Sequence, residues 1–549
     1  MRLFGVAMTS LREILVAALK SFLRGKSILQ ALLAFWSTKP AAAATSVPKD
    51  ADQPISANAA ADFLVESERL LLGYASAGGL KDFARQLKSQ FREALRSNPA
   101  CMLPSYNSQL PTGRELGQYL ALDVGGSTLR VALVDLRGRG ESGRESGIVR
   151  MDSFKIDDGV KNLEGFAFFD WMAERIQRTV GAGGANGHTP DHPLLVGLSW
   201  SFPIVQTSSK GGKLCGMGKG FLAAEGLLGQ DLGDIIKLAC QNKGLHVELS
   251  AIVNDSSATL LSEAYVTSST RFGLILGTGV NIAAHLSVAT IGMPKYCDRP
   301  SSWHERASHV IVNTELGMFG KDILPLSKWD KLLKAAHPRP DFQPLEQLVS
   351  GYYLGEICRL ALVDAIATTG IFGGAVPPSL QVPYSLDTET LSIIESDTTP
   401  DLTTAFQTFT TRHPSAVQPT VADLTFLRTL SSQISRRSAS IVAASLFALR
   451  ELKVETEREL LLSTATSSPQ FSEAAAAEIK LLTEGSTTVA YTGSVIENYP
   501  GYRAHLQAYL DELAGEKGDG EKTQAGSIAL VEAKESSLLG AAVALACVE

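Results

Sequence analysis

The six cysteines of this chain, Cys101, Cys215, Cys240, Cys297, Cys358 and Cys547, include no two at CxxC spacing. That spacing excludes a disulfide framework or a cysteine-rich zinc site and leaves free thiols in a reducing compartment. Positive charge is not in excess either: the net charge is -7, which argues against nucleic acid as a partner. The apolar runs at residues 14–19 and 31–36 are too short to cross a bilayer. A secretory leader would need a cleavage site and an oxidising destination, and neither has support. A chain of 549 residues is also too long for one core, so two or three cooperating units are expected.

Acid is scarce at the N-terminus. Arg2, Arg12, Lys20, Arg24, Lys26 and Lys39 face a single acid, Glu13, and Leu11, Ile14, Leu15, Ala18 and Phe22 recur at helical spacing. Residues 1–36 read as a basic amphipathic helix suited to a membrane surface or a mitochondrial address. The stretch that follows, TKPAAAATSVPKDADQPISANAA, reads as a flexible linker. Further on, two segments share one design. Residues 119–136 (YLALDVGGSTLRVALVDL) and 272–288 (FGLILGTGVNIAAHLSV) are each an apolar strand, a turn of small residues and a second apolar strand. Glycine lets a backbone approach a ligand, and N–H groups with hydroxyls cradle phosphate oxygens. Two such hairpins, one in each half, suggest a duplicated fold closing on a nucleotide. Residues 387–418, rich in Thr, Ser and Pro, read as a surface excursion, residues 436–449 as a small-residue helix for close packing, and residues 515–525 as a polar loop.

From Met102 onward the motifs follow a familiar order. MLPSYNSQLPTG leads into YLALDVGGS; SWSFP at 199–203 precedes KGF at 219–221; VNDSSATLLS, NTELGMFG, LEQLVSGYYLGEICRLAL, SRRSASIVAA and TGSVIENYPGY follow. This series resembles the eukaryotic, fungal-type hexokinase family over roughly residues 60–549, and in particular its atypical, regulatory members. The resemblance implies an α/β, two-lobed, actin-like ATPase fold of duplicated ribonuclease H-like design. It divides the chain into the basic segment 1–37, a linker 38–60, an N-terminal lobe 61–266 and a C-terminal lobe 267–549. It implies glucose or a related hexose as ligand and ATP with Mg2+ as cofactor.

The resemblance also carries roles onto residues. Sugar contacts fall on Ser201, Lys219, Asn254, Asp255, Asn281, Glu315 and Glu346. Asp255 takes the place of the general base, because transfer to a sugar 6-hydroxyl needs a group that accepts its proton. Lys219 would hold the sugar and favour developing negative charge. Asp123 would face the metal through phosphates or water. On the ATP side the first turn contributes Gly125, Gly126, Ser127, Thr128 and Arg130. The second contributes Gly277 and Thr278, joined by Gly493, Ser494 and Ser537 near the C-terminus.

Departures from the family pattern collect on the ATP side. Thr128 stands where the family has Asn, Val280 where it has Thr, Thr492 where it has Asp, and Ser536 and Leu538 where it has Gly. A leucine in a phosphate loop is expected to crowd the nucleotide or force the loop to move, and Val280 to remove a phosphate-facing hydroxyl. On the sugar side Gly218 replaces a hydroxyl-bearing residue. The reading that follows is a hexose-binding regulatory protein with weak or no phosphoryl transfer, acting in carbon-source sensing with a regulatory protein partner. A working ATP-dependent glucose 6-kinase is the alternative, and a membrane-attached scaffold a third. The expected place is the cytoplasm, at the mitochondrial outer membrane.

Overall fold

Apolar residues alternate along the first hairpin, and the backbone follows them. Strands Leu116–Val124 and Thr128–Arg137 pair antiparallel, with Asp123 opposite Arg130 and Val124 opposite Leu129. Strand Ser146–Lys155 adds antiparallel on one side, and Leu194–Trp200 then Val247–Val253 add parallel on the other. The second hairpin, Thr270–Leu276 with Val280–Ser287, repeats this plan. His309–Asn313 adds antiparallel on one side, and Ser486–Thr492 then Ser527–Glu532 add parallel on the other, with Leu103–Pro104 as an extra edge. The computed structural model describes residues 58–548 apart from 77, 141–144, 185–187, 219, 297–298, 465–468 and 516–525. The basic segment, nearly all of the linker and the polar loop at 515–525 except Gly515 therefore lie outside the described residues. Two sheets of one topology, one per half, are the duplicated actin-like kinase fold.

Helices fill the space around both sheets. Helices Phe166–Gly184 and Leu232–Gln241 cover one face of the five-stranded sheet. Helices Asp255–Val266 and Ser536–Ala546 lie between the sheets, in a cluster that takes Ala121 and Ala132 from one and Ala283 and Ile311 from the other. They cross so closely that a Cβ on Gly540 would stand 2.1 Å from the Ala258 carbonyl oxygen, so only glycine serves there. The small-residue stretch 436–449 lies within the 44-residue helix Val421–Thr464 and is mostly buried. Its Arg437 is fully buried and holds Asp330 through two bonds of 2.5 and 3.0 Å, the bidentate pairing a buried cation needs.

Residues 387–418 are not a surface excursion. They form helices Thr388–Ser396 and Thr403–Arg412, and Leu391, Ile394 and Phe409 join the larger core. Their Thr and Ser side chains suggested a loop, but the apolar residues between them sit at helical spacing. Packing also cuts across chain order. Helices Ala59–Leu72 and Gly79–Ser97 pack into the core of the six-stranded sheet, whereas the last helix returns to the five-stranded one. The five described cysteines are free thiols.

Candidate functional site

Strands Leu194–Trp200 and Val247–Val253 are neighbours, with Ser199 opposite Val253, so Ser201 and Asn254 emerge side by side at their C-terminal ends. Open α/β sheets present ligand-binding residues at that edge. Asn254 caps helix Asp255–Val266: its Oδ1 accepts from the Ser256 N–H at 3.0 Å and the Ser256 hydroxyl at 2.7 Å. Asp255 is the first helical residue, where the positive helix end favours an anion, and its Oδ1 accepts from the Ser256 N–H at 2.8 Å. The Ser201 N–H donates to the Val124 carbonyl at 3.3 Å, tying this edge to the strand that carries Asp123.

Facing residues come from the other sheet as one bonded set. Asn281 Nδ2 donates to Asn313 Oδ1 at 2.8 Å, and Asn313 Nδ2 donates to Glu315 Oε1 at 2.8 Å. Asn313 Oδ1 also accepts the Glu315 N–H at 3.2 Å, holding Glu315 at φ 52°, a left-handed conformation unusual for glutamate. Glu346 Oε2 accepts the Val280 N–H at 3.0 Å. Burial pushes the Glu315 carboxyl above its ordinary range, Asn313 opposes the shift, and the negative charge of Asp255 adds to it. Asp255 is thus near enough to Glu315 for its charge to act on that carboxyl. Asn313 went unnoticed in the sequence, although it stands two residues before Glu315. Lys219 lies outside the described residues. Its neighbour Gly218 has φ 66°, a conformation that a β-branched hydroxyl residue would resist.

The nucleotide side is built differently. The Gly125 N–H donates to the Thr128 carbonyl at 3.0 Å, closing the first turn, with Gly126 half-buried and Ser127 exposed. Arg130 donates Nε and Nη2 to Asp123 Oδ2 at 2.9 and 2.6 Å, and Nη1 to Glu535 Oε2 at 2.8 Å. In the second turn the Gly277 N–H donates to Gly279 O at 3.0 Å. Thr278 and Ser494 line a cavity of about 630 Å³ that also takes in Tyr352, Tyr384, Thr388 and Ser392. The first turn and Ser537 do not line it. Beside Ser494, Glu497 Oε1 accepts from the Thr492 hydroxyl at 2.7 Å and the Gly493 N–H at 2.8 Å.

Two expectations about the departures are overturned. Leu538 does not crowd a nucleotide: it is fully buried between the sheets, and Ser536 beside it pairs with the Thr259 hydroxyl at 3.1 Å. Val280 likewise buries its side chain in the larger core and offers only its N–H, to Glu346. These three changes are absorbed by packing, because strand and helix periodicity turn the side chains inward.

Tested against MgATP, the walls divide. The two tyrosines, whose ring centroids are 5.1 Å apart, together with the hydroxyls of Thr278, Thr388 and Ser392, suit a base and ribose. The lining also carries Asp387 and Glu389, tied to Arg412, and neither Lys nor Arg, so this cavity by itself offers no cation to a phosphate. Among the described residues no group of three His, Cys, Asp or Glu side chains is arranged to hold a metal.

Two family models, both described as hexokinase, match residues 74–265 and 271–547. The hexokinase of Schwanniomyces occidentalis is 32% identical over 350 residues, 63% of this chain and 71% of that protein. Hexokinase-2 of Solanum tuberosum is 30% identical over 479 residues, covering 85% and 87%, and hexokinase-1 of Nicotiana tabacum 30% over 460, covering 80% and 82%. Similar relatives thus include plant as well as fungal proteins. Among solved structures, Schistosoma mansoni hexokinase complexed with glucose superposes with a TM-score of 0.67 at 24% identity, covering 89% of this chain and 99% of that one. A second hexokinase crystal structure gives 0.66 at 25%, covering 89% and 100%.

Proposed function

Because the chain belongs to the hexokinase family, we propose that it binds glucose or a close relative, transfers phosphoryl groups slowly or not at all, and serves in carbon-source sensing. The observation that carries this reading is a contrast in how polar groups are spent. Asn281, Asn313 and Glu315 hold one another in place while half-buried, and the charge of Asp255 acts on Glu315, an arrangement suited to a ligand rich in hydroxyls. At the nucleotide side, the N–H of Gly493 and the guanidinium of Arg130 are already taken by Glu497 and Glu535. Asp255 would accept a proton from the bound sugar's hydroxyl, and the residues around it would orient that hydroxyl.

Parallel calorimetry of the purified protein with glucose and with MgATP tests the reading. Glucose should bind measurably, and MgATP far more weakly than to an ordinary hexokinase. One observation favours the working kinase as a second reading: Val280, Ser536 and Leu538 lie in the packing, so they remove no phosphate contact. Ordinary turnover in the unmodified protein would decide for it.

The proposal extends to place. Residues 1–36, basic and amphipathic in sequence, would lay the protein on the mitochondrial outer membrane. No helix among the described residues is long and apolar enough to cross a membrane. Removing residues 1–40 should release the protein to the soluble fraction with glucose affinity unchanged; unaltered fractionation would end the membrane claim.

A further inference from the structure

Arg130 has two edges on which a guanidinium can grip an oxyanion with parallel bonds: Nε with Nη2, and Nη1 with Nη2. Asp123 occupies the first, through bonds of 2.9 and 2.6 Å to one oxygen. Glu535 holds Nη1, on the second edge, through a single bond of 2.8 Å. A phosphate arriving at this turn finds the first edge filled and the second partly held.

Glu535 is also placed in an unusual way. It precedes the last helix at φ 48°, ψ 31°, a left-handed conformation that non-glycine residues rarely adopt. The residues after it are fixed, Ser536 by its hydroxyl contact with Thr259 and Leu538 by burial. Thr259 in turn donates to the Asp255 carbonyl at 3.0 Å, so a continuous line of contacts runs from Asp255 to Arg130. The Glu535 side chain keeps 42% of its surface in solvent, so it can leave Arg130 by a rotamer change without moving the helix.

We propose that Glu535 sets the nucleotide affinity of this protein by competing with the phosphate end of a nucleotide for Arg130. The proposal rests on the reading of this side as a nucleotide site and adds a brake built into the chain. Two things oppose an incoming phosphate: the bond between Glu535 and Nη1, and the repulsion between the Glu535 carboxylate and the phosphate charge. Removing the carboxylate should therefore strengthen binding, an outcome that loss of a merely structural contact does not give.

The test is calorimetric titration of MgATP and of its non-hydrolysable imido analogue into the glucose-saturated full chain and its variants. Glu535→Gln removes the charge, and Glu535→Asn removes it with a residue that tolerates the left-handed backbone. Each should raise nucleotide affinity by about three- to tenfold, the range expected when a partly exposed ion pair and a nearby like charge are both relieved. Adding Arg130→Gln should cancel that gain. Unchanged or weaker nucleotide binding in both Glu535 variants would overturn the proposal, the weaker case making Glu535 an aid to Arg130. Tight MgATP binding by the unmodified protein would instead overturn the functional reading, so the two failures are distinguishable.

Discussion

The sugar side and the nucleotide side lie in the same fold and differ in what their polar groups are bonded to. On the sugar side, amides hold carboxylates: Asn313 supports Glu315 and is itself supported by Asn281. The cost of burying those groups is met before a ligand arrives. On the nucleotide side, carboxylates of the chain sit on the donors, Glu535 on Arg130 and Glu497 on the Gly493 N–H. The first arrangement prepares for a ligand and the second competes with one. Counting departures from a motif does not reveal that difference, since Leu538, Ser536 and Val280 depart from the family pattern yet have moved into the packing.

The largest effect should come from treating Leu538 as a worn phosphate residue. Leu538→Gly removes a fully buried side chain and weakens a helix, which together should cost about 4 kcal/mol or more of stability in denaturant unfolding. Nucleotide affinity should not improve; a gain without loss of stability would return Leu538 to the nucleotide side. Next, Asn313→Ala leaves the Glu315 carboxylate and the Asn281 amide without their partner. Glucose affinity should fall about 30-fold in calorimetry; a loss below threefold would mean that the bonded set does not present the sugar.

Glu315 gives a smaller effect with a definite sign. Burial holds its folded carboxyl above the ordinary 4.5, so in that window the folded state binds more protons than the unfolded one. Stability of the ligand-free protein should then be fully present below the ordinary value and decline as pH rises through the raised one. Glu315→Gln removes that decline. At neutral pH it should raise the melting temperature by about 1–2 °C while lowering glucose affinity, and a fall in both would show the carboxylate to be structural. The smallest effect is expected at Thr128, half-buried beside the first turn. Thr128→Asn restores the family's side chain and should strengthen nucleotide binding about two- to fivefold. A gain of about tenfold or more would shift the weakness of this side from the Glu535–Arg130 pair to the turn.

Much of the site was legible because it is local. Asn254 and Asp255 announce a helix start after an apolar strand, and Glu315 and Glu346 stand in recognisable motifs. Asn313 was overlooked because an amide at the end of a buried strand carries no signal until its partners are known. Residues 387–418 misled for a related reason: hydroxyl side chains suggest loops, yet burial of Leu391, Ile394 and Phe409 outweighed that preference.

The sequence by itself determined the two strand–turn–strand units, their small-residue turns and the order of the motifs, because alternation and turn chemistry act between residues near in the chain. The tertiary structure decided which side chains point inward at 280 and 538, and which helices cross sheet boundaries. It also decided that Arg130 meets a glutamate 405 residues away. Such contacts arise when two separately specified sheets close on the same pair of helices, and no spacing along the chain encodes them.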